Sequence, residues 1–309
     1  MTKERLFSRL YQIFDSDAFF KFRSSPVTIL AGICAIILFG ASLGAAVFAP
    51  FDPFDKASID LINSLLPPAW QDGGEPMFLL GTDDQGRDLL SAILYGTRTS
   101  VLVGLISVSL AVIIGLFFGL IAGYFGGLAD ALIMRLVDVQ MTFPAIMVAL
   151  LIDGVSRSFL PRDLHDSLAI FVIILAMAQS IWPQVARTVR ASTMVEKGRE
   201  YVQAAQVIGR APWIIMARHV LPNVMGPVLV IATINLGVAI LGEATLSFLG
   251  VGIPASEPSL GTLIRIGNNY VFSGERWILI YPGLTLALLV LSINLLGDWL
   301  RDVLDPKLR

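Results

Sequence analysis

Residues able to do chemistry are sparse in this chain and widely separated. The histidines His165 and His219 flank an apolar run long enough to cross a bilayer, so they cannot share a metal ion. The single cysteine, Cys34, lies inside another apolar run, which leaves no internal disulfide and no cysteine-based zinc site; no metal site is expected. The acidic string GTDDQGRD at 81–88 resembles a calcium loop only in composition, because Gln85 stands where the third ligand belongs. A turn in which Asp or Thr caps the next helix is the simpler reading. No Gly-x4-Gly-Lys-Ser/Thr string occurs, so the chain has no loop of the kind that cradles nucleotide phosphates, and no enzymatic activity or bound cofactor is expected of it. Glu243 sits within an apolar stretch, where a charge costs at least about 2.5–3.5 kcal/mol on insertion scales. It therefore either bonds a neighbouring helix or serves as a gate or contact on a pathway.

The densest group of polar and small residues is the segment 187–223, whose middle reads REYVQAAQVIGRAPWIIMARHVLPN. Helix connections in bundles usually take about 2–8 residues, so this one is more than a connector. Tyr201, Ala204, Ala205 and Ile208 recur at helical spacing, Gly209 permits a turn, and Pro212 suits the start of a second helix. Adjacent alanines on an exposed short helix give a low-relief surface with Arg199, Glu200 and Arg210 at its edges. Such a helix either docks into a groove on another protein or lies on a membrane surface.

The elements that position these residues are membrane spans. Of 309 residues, 55% are hydrophobic and 15% charged, against about 25% charged in an average soluble domain. A net charge of −2 offers no basic stripe, so nucleic acid is set aside as a partner. A bilayer core about 30 Å thick needs roughly 20 mostly apolar residues, and charge gaps place six such runs at 27–49, 101–124, 131–152, 168–186, 224–249 and 277–297. Backbone groups in hydrocarbon must be paired internally, so the runs are helices and the fold class is all-α, polytopic, with six transmembrane helices. The first run is read as a retained span: it exceeds the length of a secretory signal core, and Pro50 makes a poor cleavage site.

This divides the chain into an N-terminal segment (1–26), a first span (27–49), a loop with an interfacial helix (50–100), a core of five spans (101–297) and a tail (298–309). Leu89, Leu90, Ile93 and Leu94 supply the apolar face of the interfacial helix. Gly115, Gly119, Gly123 and Gly127, spaced by four, predict close helix packing, as do Gly40 and Gly44. Asp138, three residues after Arg135, has the spacing of a local ion pair. With the N-terminus inside, the inner segments hold 15 of the 22 lysines and arginines and the outer loops 7. That asymmetry puts both termini in the cytoplasm.

The stretch EYVQAAQVIG (200–209) followed by HVLPN (219–223) closely resembles the EAA loop of permease subunits of ATP-binding-cassette importers. The resemblance extends to LGTDDQGRDLLSAILYGTRTSVLVG (80–104), MRLVDVQMTFP (134–144), GEATLSFLGVG (242–252) and NLLGDWLRDVLDPKLR (294–309), which look like the second permease of dipeptide, oligopeptide and nickel importers. It implies a type I ABC importer permease fold in a bacterial inner membrane. It further implies a coupling role for Arg199, Glu200, Ala204, Ala205 and Gly209 in a groove of a cytoplasmic ATPase, with His219, Leu221, Pro222 and Asn223 as supporting loop motif. The implied partners are a second homologous permease, one or two ATPase subunits that bind ATP and Mg, an external solute-binding protein and membrane lipid. Peptides are the implied solute, with nickel or another small solute as alternatives; an ion-coupled secondary transporter is the rival class. The family pattern is departed from at Ala92, where a basic residue usually follows serine, and at 155–167, which is longer and more charged. FSGER at 272–276 resembles an ABC signature but lacks its second glycine and falls on the outer side.

Overall fold

A computed structural model describes residues 17–53, 60–159, 161–254, 257 and 259–304. Expectations that rest on Lys3, Arg5 and Arg9, on Lys307 and Arg309, or on the side chains at 162–167 lie outside the described residues. The described residues form helices and turns, with one isolated bridge between Thr82 and Asp88.

A short helix α1 (Asp17–Ser24) leads into α2 (Pro26–Leu43) and the single turn α3 (Ala45–Phe48). Helix α2 starts where it does because the Ser25 hydroxyl accepts from the Thr28 N–H and Pro26 occupies the first turn, where its missing donor costs nothing. The long helix α4 (Leu89–Phe125) follows the first loop. A pair, α5 (Gly127–Met141) and α6 (Ala145–Phe159), precedes α7 (Arg162–Lys197), nearly as long as α4. A connector carries α8 (Glu200–Val207) and α9 (Pro212–Ile215), and a π-turn at Met216–Val220 feeds α10 (Leu221–Phe248). Helices α11 (Leu260–Tyr270) and α12 (Trp277–Leu304) complete the bundle.

Five helical runs are long and apolar enough to cross a membrane, and the bent pair α5–α6 makes a sixth if it acts as one span. Four expectations are revised. The third span is not straight: α5 and α6 meet at 87°. Pro144 lacks an N–H and disfavours the helical conformation of Phe143, which places the break there, although Pro183, Pro227 and Pro282 lie inside continuous helices. The interfacial helix expected within 50–100 is instead the first three turns of α4. Leu89 is fully buried and Ile93 nearly so, in a core with Val101, Ile240, Leu260, Leu263 and Leu289, so their apolar face meets protein. Helix α7 runs past 186 to Lys197, which shortens the connector to roughly 198–211. Helix α11, within a segment read as loop, starts at Ser259, whose hydroxyl accepts from the Thr262 N–H, and buries Leu260, Leu263 and Ile266.

Helices α4 and α7 form the spine. A Cβ on Gly115 would stand 2.6 Å from the Val185 Cβ, on Gly119 2.6 Å from the Val189 Cβ, and on Gly123 2.7 Å from the Arg190 carbonyl oxygen. The glycine face is therefore a helix contact, as its spacing predicts. Gly127 does not share it, opening α5 in free space, and Gly40 likewise meets nothing within 4 Å. Asp138 pairs with Arg187 of α7 at 2.7 Å in place of the expected partner Arg135, and the Asp130 carboxylate takes a two-pronged contact from Arg190. Both pairs tie α5 to the spine.

Candidate functional site

The connector of α8, α9 and the π-turn closes one end of the bundle. Helix α8 follows Arg199, and Glu200 in its first turn suits the positive end of the helix dipole. Val202 and Ala205 are buried against Tyr124, Ile215, Met216, Val220 and Val224, and they hold the helix to the bundle. Ala204, Val207 and Ile208 face outward, the last two 88% and 76% exposed, beside Trp213 at 66%. Ala204 and Ala205 thus do not share an exposed surface, because successive helical residues point about 100° apart. The outward relief is made by Ala204, Val207, Ile208 and Trp213.

Gly209 closes α8 with φ +77°, a left-handed conformation that disfavours any Cβ, although the space around it is open. Its N–H donates to the Gln206 carbonyl, and the Arg210 N–H reaches back to Ala205, the pattern of a glycine C-cap. Arg199, Glu200, Arg210 and Arg218 are exposed and supply charge of both signs around the apolar patch.

The supporting residues act inward. The Asn223 side-chain amide donates to the His219 carbonyl at 2.7 Å and to the Tyr201 hydroxyl at 3.0 Å. Tyr201 donates its own proton to the Glu196 carboxylate in the last turn of α7, and the His219 ring lies 6.3 Å from the Tyr201 ring. Pro222 falls in the first turn of α10, and Leu221 packs against the buried cluster beneath α8. The Lys197 ammonium donates to the Tyr124 carbonyl at 2.6 Å and lies over that ring. The Tyr201 hydroxyl is pushed up to about 12, first by desolvation and then by its bond to Glu196. Sequence spacing pointed to Tyr201 only as a helix-face residue; its partners come from positions 196 and 223, which only the fold brings together.

Beside this network a cleft of about 630 Å³ opens between α7, α10 and α12. Gln184, Thr188, Ser192 and Glu196 form one wall, Asn223 another, and Arg301 a third. Apolar Pro227, Ile231 and Ile234 complete it.

Glu243 lies away from this end, fully buried. Its carboxylate accepts from Ser100 of α4 at 2.6 Å and from Ser247 at 2.8 Å, and Ser100 also receives the Leu260 N–H at 3.4 Å. The group therefore bonds neighbouring helices, joining α4, α10 and the start of α11. At the same end of the bundle, Asp83 and Arg87 form a buried ion pair at 2.6 Å. Asp88 caps α4 through the Ser91 N–H and hydroxyl, and burial pushes its carboxyl up against the pull of those bonds. The string 81–88 is thus a turn and cap, as expected. Among the described residues no group of three His, Cys, Asp or Glu is placed to hold a metal ion.

A bundle of long apolar helices, with one end closed by a short helix that shows an apolar face to the surroundings, is the architecture of a polytopic membrane protein with an exposed docking element. The chain belongs to the binding-protein-dependent transport system inner membrane component family, which matches residues 115–309. It is 39% identical to the dipeptide transport system permease protein of Haemophilus influenzae, over 94% of each chain. It is 40% identical to the di/tripeptide transport system permease protein of Pseudomonas aeruginosa, over 89% of this chain and 86% of that one. The oligopeptide permease protein of Bacillus subtilis is 35% identical over 95% of this chain and 90% of its own length. The fold resembles a chain of the inward-facing MetNI methionine ABC transporter, with a TM-score of 0.55, 20% identity, and coverage of 70% of this chain and 97% of that one. The chain is a multi-pass permease subunit of an ABC importer.

Proposed function

We propose that this permease contributes half of the pathway of a bacterial inner-membrane importer of di- and oligopeptides, and that α8 is the element through which separate cytoplasmic ATPases drive it. The observation that carries the coupling assignment is the pair of faces on α8: Val202 and Ala205 hold it to the bundle while Val207, Ile208 and the nearby Trp213 are left exposed. A partner protein suits this patch better than lipid does. The membrane run of α7, 30 residues from Leu168 to Lys197, is about 45 Å long against a hydrocarbon core of about 30 Å, so it carries α8 beyond the apolar layer.

The basic residues, 15 of 22 on the α8 side and the termini, support a cytoplasmic position for this end. The chain has no phosphate-cradling loop of its own, so ATP and Mg belong to the partner ATPases. A second homologous permease completes the pathway, and an external binding protein delivers the solute. Peptide is the solute because the relatives that match nearly the whole chain are named as peptide permeases.

A test is the double variant Val207→Asp and Ile208→Asp, which alters only exposed side chains. The expected outcome is normal membrane insertion with loss of ATPase co-purification and at least about a tenfold drop in uptake, the scale expected when charge is placed in an apolar docking core. Normal ATPase association and uptake would reject α8 as the docking element.

A further inference from the structure

The hydrogen bonds around Tyr201 join three elements at one atom. Its phenol oxygen, on the first turn of α8, donates to Glu196 at the end of α7 and accepts from Asn223 at the start of α10. Asn223 is itself fixed by the His219 carbonyl at 2.7 Å. Glu196 is steadied from the other side by Arg199 at 3.8 Å. Glu196 and Asn223 both line the 630 Å³ cleft, on different helices. A displacement of α8 therefore acts through one hydroxyl on two walls of that cleft. The buried contacts of Val202 and Ala205 lie on another face of α8 and lead into the cluster around Tyr124 and Val224, none of whose residues lines the cleft.

From this geometry we infer that Tyr201 is a positioning residue for transport: its hydroxyl transmits the movement of α8 to the ends of α7 and α10, and so sets the width of the cleft between them. The inference rests on the coupling role proposed for α8 and adds the link from that helix to the walls of the cleft. Because burial and the bond to Glu196 push the phenol above the ordinary tyrosine range, it remains a donor to the carboxylate throughout the physiological range.

The test uses the complete reconstituted importer, with both permeases, the ATPases and the binding protein, and reads ATP hydrolysed per labelled dipeptide taken up. Tyr201→Phe keeps the ring and its approach to His219 and removes only the hydroxyl. Assembly and hydrolysis should stay within about twofold of wild type while uptake falls on the order of tenfold, the scale expected for loss of a hydrogen bond to a charged group. Glu196→Leu should reproduce the defect from the other partner, and the Tyr201→Phe, Glu196→Leu pair should be no worse than either alone. Glu196→Gln, whose carbonyl still accepts the phenol proton, should restore most of the coupling. Uptake and hydrolysis falling together in Tyr201→Phe, or neither changing, would overturn the inference. A wild-type chain that recruits no ATPase would defeat the coupling assignment itself, and this inference with it.

Discussion

Arg87 shows how far single residues are committed to the fold. Its guanidinium and the Asp83 carboxylate are both buried, so Arg87→Ala strands an uncompensated charge and should cost about 3–5 kcal/mol, read as a lower unfolding midpoint of the solubilised subunit. Glu243 makes the complementary case. Glu243→Leu deprives the Ser100 and Ser247 hydroxyls of their acceptor, each worth about 1–3 kcal/mol when left unpaired, and should lower stability while leaving uptake per assembled complex near wild type; a selective loss of uptake at normal stability would make it a pathway residue. For Tyr201 the sign is fixed by its raised pKa: the proton is held more tightly in the folded state. Its contribution is therefore complete below the ordinary tyrosine range near pH 10 and is lost as the pH rises through about 12. The unfolding midpoint of the solubilised subunit should fall further over that window in the wild type than in Tyr201→Phe, and equal falls in the two would contradict the role of the hydroxyl. Candidate residues such as Gly209 were legible because their role is local, a turn after a helix. The direction of Ala205 was not, because which face of an eight-residue helix meets the bundle is decided by Tyr124, Ile215 and Val224, all remote in sequence.

At the scale of elements, spacing was a good guide where the cause was a repeating contact. Gly115, Gly119 and Gly123 let α4 and α7 approach until a Cβ would overlap Val185, Val189 or the Arg190 backbone. Gly119→Leu should force the two helices apart at a cost of about 1–3 kcal/mol or more, with loss of assembled complex on size-exclusion; an unaltered elution profile and unfolding midpoint would contradict the spine. Charge gaps, by contrast, located the apolar middles of the spans and missed their ends. The run 101–124 begins three turns inside α4, whose first turns are stabilised by the Asp88 cap and by Leu89 and Ile93 in the core. Helix α11 is not legible in the sequence because its 11 residues are too few to read as a span, and its Gly261 and Gly267 close on the backbones of Ala244 and of Ile278 and Leu279, which sequence cannot place beside it. The bend at 142–144 had a visible cause in Pro144, but whether a proline kinks or breaks a span depends on the tertiary contacts that take up the freed backbone groups.

At the scale of the whole molecule, the polytopic helical class followed from composition, since only helices can satisfy the backbone in such apolar runs. Membership of the permease family accounts for why a chain so poor in chemical groups keeps a polar, folded connector at one end. The central claim is that this connector joins a peptide-conducting permease to ATPases that the chain itself does not contain. The most direct measurement is purification of the tagged chain in gentle detergent, identification of stoichiometric partners, and reconstitution of whatever is recovered into proteoliposomes with labelled dipeptide and the external binding protein. The account predicts a second permease and ATPase subunits in the complex, and dipeptide accumulation that requires ATP. Recovery of the chain alone, under conditions that preserve a known ABC complex, or uptake driven by an ion gradient without ATP, would contradict it.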